Sequence, residues 1–298
     1  MSHTIQNSQI EMKNRRQEIN IQIDEDRLRA PLKIDATVRE ELCIVFLHGL
    51  GGTHRYWQSG AASLQSSSIK VRCVLVDLLG FGDSPKPWCQ YTLERHIQAL
   101  ELVLSQFSRM VIVGHSLGAA LALAYAARHP ESVRRLILIS LPYFSDQNTA
   151  YRWLRRRPSG WMYTNMITTA LACIFTRRIV GKLLPFVISS VPKEVARDLV
   201  KHTFLSSTSS LWNVLYRYDL DKEANAVAQN LGVICIHAKD DASAPLFGVS
   251  QLVERHETWE LVVLEQGGHH LWFSQTQSCW RIINECIAQC ESMGSNHN

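Results

Sequence analysis

VIVGHSLGAALALAYAARHP, Val111 to Pro130, carries an apolar run through Gly114-His115-Ser116-Leu117-Gly118 straight into a helical pattern. A strand, a sharp turn and a helix around G-x-S-x-G is the context in which that motif presents a nucleophilic serine. The turn holds Ser116 in a strained backbone conformation. Side chains at Gly114 and Gly118 would collide with neighbouring elements. The serine stands at a helix N-terminus, where unpaired N–H groups and the helix dipole favour developing negative charge.

A second glycine-rich turn lies upstream. CIVFLHGLGGTHRYW, Cys43 to Trp57, ends an apolar run in His48-Gly49-Leu50-Gly51-Gly52. Glycines at a strand end let backbone N–H groups turn inward. The N–H groups of Leu50 and Leu117 together would form an oxyanion hole, with Gly51 as the alternative second donor.

Working outward, six apolar runs read as strands: Cys43–Gly49, Val71–Leu78, Met110–Ser116, Leu136–Ser140, Val233–Ala238 and Glu260–Glu265. They are continuous rather than alternating, as parallel strands covered on both faces should be. Helical patterns such as Leu93–Phe107 and Leu117–Arg128 lie between them. This alternation predicts an α/β protein with a doubly wound, mostly parallel sheet. The rhythm breaks between the fourth and fifth runs, over a stretch rich in Trp, Tyr, Leu and Arg. The expected organisation is a polar N-terminal segment, 1–38, with weak strands near Glu18–Ile23 and Leu32–Ile34; a discontinuous core, 39–141 and 222–293; and an inserted helical cap, 142–221. The cap should cover Ser116, with Trp153, Trp161, Phe175, Phe186 and Trp212 offering apolar surface to a substrate or packing the cap helices together.

Together the elbow and the glycine turn resemble the α/β-hydrolase fold superfamily, in its esterase, lipase and thioesterase branch. The resemblance runs from about Cys43 to the C-terminal helix, apart from the insertion. It implies a Ser-Asp-His triad in that chain order. VICIHAKDDASAP matches the family's acid-bearing stretch with Ala238, Asp241 and Pro245 in register, which makes Asp241 the acid and Asp240 the runner-up. LEQGGHHLWF places His269 after a glycine as the base, with His270 as the alternative. Relatives often carry an acidic residue five positions on, where this chain has Ser274. Asp77, in VDLLGFGDSPKP, is assigned to structure. His48, His115 and His237 read as packing or structural residues. The resemblance implies a serine hydrolase acting on a carboxylic ester or thioester through an acyl-enzyme intermediate. An acyltransferase, a carbon–carbon bond hydrolase and a hydrolase-fold receptor are the competing readings.

Composition bounds the rest. The chain has 298 residues, 46% of them apolar, which suffices for a large core. A net charge of +4 gives no reason to invoke nucleic acid. The N-terminus lacks the apolar stretch of a secretory signal, and Met162–Phe175 is too short to span a bilayer, so the expected location is cytoplasmic. Of the eight cysteines, none in a CxxC pair, Cys43, Cys73 and Cys235 lie in apolar strand runs, and Cys279, Cys286 and Cys290 share one face of a C-terminal helix, reading as small core residues. No spacing suggests a metal site, and no cofactor is expected. The charge is unevenly spread. From Pro142 to Leu220 eleven Lys and Arg stand against four Asp and Glu, so this segment carries +7 and the rest −3. An acyl carrier protein, a coenzyme A thioester or an anionic membrane surface would each suit so basic a cap.

Overall fold

The computed structural model describes residues 42–58, 71–181, 183–187 and 191–295. Segment 1–38, with the two weak strands expected there, lies outside them. Six strands form one sheet: β1 (Cys43–Leu47), β2 (Arg72–Val76), β3 (Met110–His115), β4 (Val133–Ile139), β5 (Gly232–Ala238) and β6 (Trp259–Leu264). Their order is β2-β1-β3-β4-β5-β6, and every neighbouring pair is parallel. The chain moves outward one way from β1 to β2, then crosses back to β3 and proceeds the other way. The carboxyl ends of β1 and β3 therefore flank the point where the winding reverses, which is where open α/β sheets bind ligands. Leu50 follows β1, and Ser116 follows β3.

Helices cover both faces. On one side α1 (Leu93–Leu104) and α2 (Leu117–Arg128) bury Leu93, Ile97, Leu100 and the alanine-rich body of α2 against the sheet. Small residues let α2 approach closely, and it is buried nearly throughout. The cap helices follow β4: α3 (Gln147–Leu154), α4 (Met166–Phe175), α5 (Leu184–Val187), α6 (Lys193–Asp198), α7 (Phe204–Ser210) and α8 (Leu220–Ala226). The core then resumes with α9 (Leu246–Glu254), α10 (Leu271–Ser274) and α11 (Thr276–Ser295). On the second sheet face, α11 buries Cys279, Ile283, Cys286, Ile287 and Cys290 against Ile44, Phe46, Val111 and Val113. None of the cysteines is in a disulfide, and the described residues hold no metal-binding cluster.

The described residues between β4 and β5 contain no strand. Besides α3 to α8 they form a 3₁₀ turn at Gly160–Thr164 and π turns at Thr176–Val180 and Leu211–Tyr216. Asp146 and Asn165 cap α3 and α4 through their side chains, and Thr203 with Ser206 forms a capping box on α7. The expected boundary at 221–222 falls inside α8. That helix packs on α2, where Glu223 pairs with Arg128 at 2.5 Å. No helix among the described residues is long and apolar enough to cross a membrane.

Two glycines decide how tightly the elbow closes. A Cβ on Gly118 would penetrate the carbonyl oxygen of Leu47, and one on Gly114 would lie 2.5 Å from the carbonyl oxygen of Gly118. Both obstacles are backbone, so neither can swing away. We expect Gly118→Ala to destabilise the fold by about 3 kcal/mol, the upper range for overpacking. Urea denaturation checks this; an unchanged midpoint would mean that α2 and β1 are free to separate.

Candidate active site

Ser116 has φ 52° and ψ −116°, a backbone conformation few non-glycine residues adopt. It is held there from both sides. Its N–H donates to the carbonyl of Ile139 at 3.0 Å, and its own carbonyl accepts the N–H of Ala119 at 2.9 Å. This lifts the side chain out of the strand and sets it at the start of α2.

The structure brings Ser116, His269 and Asp241 together from three loops. Ser116 Oγ lies 3.0 Å from His269 Nε2, and His269 Nδ1 lies 2.9 Å from Asp241 Oδ2. Asp241 is buried. Its Oδ1 accepts the N–H groups of Ser243 at 2.8 Å and Ala244 at 2.9 Å. Burial alone would raise its pKa. The hydrogen bond and charge of His269, with the Ala244 N–H, outweigh that and hold the carboxyl down at about 2. A carboxylate fixed in this way accepts a hydrogen bond from Nδ1–H and leaves the Nε2 lone pair facing the serine hydroxyl.

The runner-up, Asp240, does a different job. Its Oδ1 accepts the Gly268 N–H at 2.8 Å, so it fixes the loop that carries His269. Ser274 holds the same loop by donating to the Gly267 carbonyl at 2.8 Å, a structural bond in the place where relatives often carry an acid. His270 has its pKa lowered to about 4 by burial and lies beside His115 and Tyr56, while Ser116 Oγ meets the ring of His269.

His115 packs beside the site. Its ring stacks on Tyr56 at 4.8 Å, and its Nε2 lies 2.8 Å from the His269 carbonyl oxygen. A proton on Nε2 makes that bond, so the residue in the elbow's variable position braces the backbone of His269. His48 Nε2 accepts the Leu78 N–H at 3.0 Å beneath the glycine turn. His237 Nε2 donates to the Ala244 carbonyl at 2.8 Å, within the acid loop. Asp77 accepts the His54 N–H and ring and the Asp83 N–H, which hold its carboxyl down at about 2 against burial.

The candidate oxyanion donors sit as follows. Gly52 N–H donates to the Gly49 carbonyl at 3.0 Å, and Gly51 has φ +75°. This is a type II turn, whose third position needs glycine for its positive φ. The turn's own bond leaves the N–H groups of Leu50 and Gly51 unspent. Leu117 is the first residue of α2, so its N–H has no acceptor within the helix.

Above these groups lies a cavity of about 430 Å³ that reaches Ser116, His269, Leu50 and Gly49 and extends under the cap. Its cap side is mostly apolar, with Phe144, Leu154, Val191, Val195, Leu211 and Tyr216, and also carries Arg157 and Ser159. The expected aromatic lining is corrected here, since none of the five aromatics named from the sequence is among the lining residues. Trp212 is buried and donates to the Tyr151 hydroxyl, and Trp153 donates to the Ala242 carbonyl. Trp161, Phe175 and Phe186 are exposed. Two cap contacts went unread in the sequence. Buried Asp198 accepts from Thr53 Oγ1 at 2.9 Å, just beyond the glycine turn, and pairs with Lys201 at 3.1 Å. It ties α6 to the donor loop; its one signal was an acid placed amid the helix's buried Val195 and Ala196.

Burial depresses the pKa of many histidines: His96 to about 3, His202 and His270 to about 4, with His48, His115 and His237 also lowered. Unfolding would restore each to about 6.5. Between the two values the unfolded chain binds more protons, so stability falls as pH falls below 6.5. The carboxylates Asp77 and Asp241, both at about 2 when folded, add a further loss only below about pH 4. We expect a loss on the order of 5 kcal/mol between pH 6.5 and pH 4. Calorimetric Tm against pH would show it; a flat Tm over that interval would contradict the neutral buried histidines.

Comparison with known proteins gives three results. A family model described as alpha/beta hydrolase fold matches residues 43–173. The chain is 40% identical over 125 residues to a probable lysophospholipase, BODYGUARD 1, of Arabidopsis thaliana. That match covers 39% of this chain and 27% of the plant protein, so the chain spans about a quarter of the relative's length. Among solved structures, an esterase from Exiguobacterium antarcticum superposes with a TM-score of 0.68 at 18% identity, covering 84% of this chain and 92% of that one. A thermophilic esterase from Thermogutta terrifontis gives 0.64 at 18% identity, covering 84% and 90%.

Proposed function

We propose that this chain, a member of the α/β-hydrolase fold superfamily, is a serine hydrolase that cleaves a carboxylic ester or thioester through an acyl-enzyme intermediate. The observation that carries the proposal is the continuous hydrogen-bonded line from Ser116 Oγ through His269 to Asp241 at the floor of an apolar cavity. His269 Nε2 takes the Ser116 proton as Oγ attacks the acyl carbon. Asp241 stabilises the imidazolium that forms. The N–H groups of Leu50 and Leu117 receive the oxyanion. His269 then protonates the leaving alcohol or thiol, and water, deprotonated by the same histidine, releases the acid. The chemistry needs no cofactor.

The cavity's size falls within the ordinary range for small-molecule sites. Its apolar wall suits an acyl chain, and the plant relative's name supports a lipid ester. The test is hydrolysis of p-nitrophenyl esters and acyl thioesters of graded chain length by the purified protein. Turnover that rises with chain length until the cavity is filled supports the reading. No turnover of any ester or thioester would favour a receptor on the same fold.

A further inference from the structure

The outer side of the cap carries a row of large apolar side chains. Ile167, Leu171, Phe175, Ile179 and Leu183 follow one another at steps of four and are all exposed, and Phe186 extends the row at 76% exposure. Such a row has a geometric cause. In an α-helix a step of four residues overshoots one turn, so the stripe in α4 drifts around the axis. The π turn at Thr176–Val180 winds more slowly, so the same step falls short and the stripe swings back. The opposite face of α4 is fixed. Thr169 is buried and bonds the Met162 carbonyl, and Cys173 Sγ lies 3.2 Å from His202 Nε2. The helix therefore cannot roll to hide the stripe, and isolated exposed residues do not account for six in one row.

The segment that carries the row is basic. Between Gln147 and Lys193 the sequence contains no Asp or Glu and eight Lys and Arg. Arg177 and Arg178 lie on the π turn itself and are exposed, and Lys193 Nζ stands 5.8 Å from the Phe186 ring. We propose that this face of the cap docks on an anionic phospholipid bilayer, with the apolar row in the acyl boundary and the basic residues among the headgroups. An amphipathic surface of this composition lies in the plane of a membrane interface. A second copy of the chain would bring two faces of the same charge together, which opposes self-association. A soluble acidic partner such as a carrier protein would answer the charge and leave the apolar row unexplained.

The face adjoins the cavity. Thr168 and Thr169 both bond the Met162 carbonyl, and Tyr163, in the same 3₁₀ turn, lines the cavity above Ser116. A bilayer under α4 would thus lie beside the site. The docking itself does not depend on the catalytic reading.

Flotation of the purified full chain with vesicles tests the proposal. Vesicles with a quarter of their lipid as phosphatidylserine should bind the protein, and phosphatidylcholine vesicles should bind it at least tenfold more weakly. Arg177→Gln with Arg178→Gln should weaken binding to the anionic vesicles roughly 20-fold. Leu171→Ser, Phe175→Ser and Ile179→Ser together should abolish binding to both vesicle types. That variant should keep its Tm and its hydrolysis of a soluble p-nitrophenyl ester, since none of the three residues lines the cavity. Ser116→Ala should still float, which separates a failure of docking from a failure of catalysis. Absence of vesicle binding, or binding unaffected by either set of substitutions, would overturn the proposal. So would a dimer in light scattering that the triple variant dissolves, because the row would then be covered by a second copy.

Discussion

Ser116→Ala should remove ester hydrolysis, by roughly 10⁶-fold in kcat as for serine nucleophiles in triads of this kind, while leaving Tm within a degree or two. The substitution deletes one hydroxyl whose hydrogen bond runs to His269. It keeps a Cβ on a residue already at φ 52°, so it adds no backbone strain. The bonds that hold the elbow use the main chain of residue 116 and are indifferent to the change. Steady-state kinetics with a p-nitrophenyl ester, beside a melting curve, give both halves of the result. A variant that keeps the native rate would move the nucleophile elsewhere. A variant that loses rate and Tm together would show that the serine serves the fold.

The second large effect separates two adjacent carboxylates. Asp241→Asn should lower kcat on the order of 10⁴-fold, because an amide facing Nδ1 favours the wrong imidazole tautomer and leaves a developing imidazolium without its counter-charge. Asp240→Asn should cost less than tenfold. Its role is to accept one N–H from Gly268, and the carbonyl oxygen of asparagine accepts the same bond. The reverse ranking would assign the acid to Asp240. Equal small losses would mean that the base works unaided.

The sheet was legible because its inner strands, β1, β3 and β5, are covered on both faces and are written as apolar runs. Where a run was polar, its extent was misjudged. β4 begins at Val133, three residues before the expected start, because Arg134 and Arg135 occupy its solvent-facing beginning. The elbow was legible because two of its glycines answer backbone obstacles that no other residue could avoid. The expectation of His269 as base and Asp241 as acid came from resemblance in register. Asp240 and Asp241 differ only in which way one short loop points them, and nothing local in KDDASAP encodes that direction.

The cap resisted reading for a different reason. Cavity and exterior in this segment both present large apolar side chains, so composition cannot distinguish an apolar residue that faces the site from one that faces outward. Leu154, Val191 and Leu211 line the cavity, while Phe175, Phe186 and Trp161 do not. The stride of four at Ile167, Leu171, Phe175 and Ile179 was present in the sequence. The π turn turns the last of these steps back toward the line of the others. Asp198 was hidden by the same ambiguity, since an acid in a basic cap reads as surface until its partners Thr53 and Lys201 are seen.

The central claim is that Ser116 is a nucleophile activated by His269. Labelling the native protein with a fluorophosphonate and mapping the modified peptide by mass spectrometry addresses it most directly. The adduct should fall on Ser116 alone, and His269→Ala should slow its formation by several orders of magnitude with Tm preserved. An unlabelled protein, an adduct on another residue, or labelling of Ser116 at an undiminished rate in His269→Ala would contradict the account.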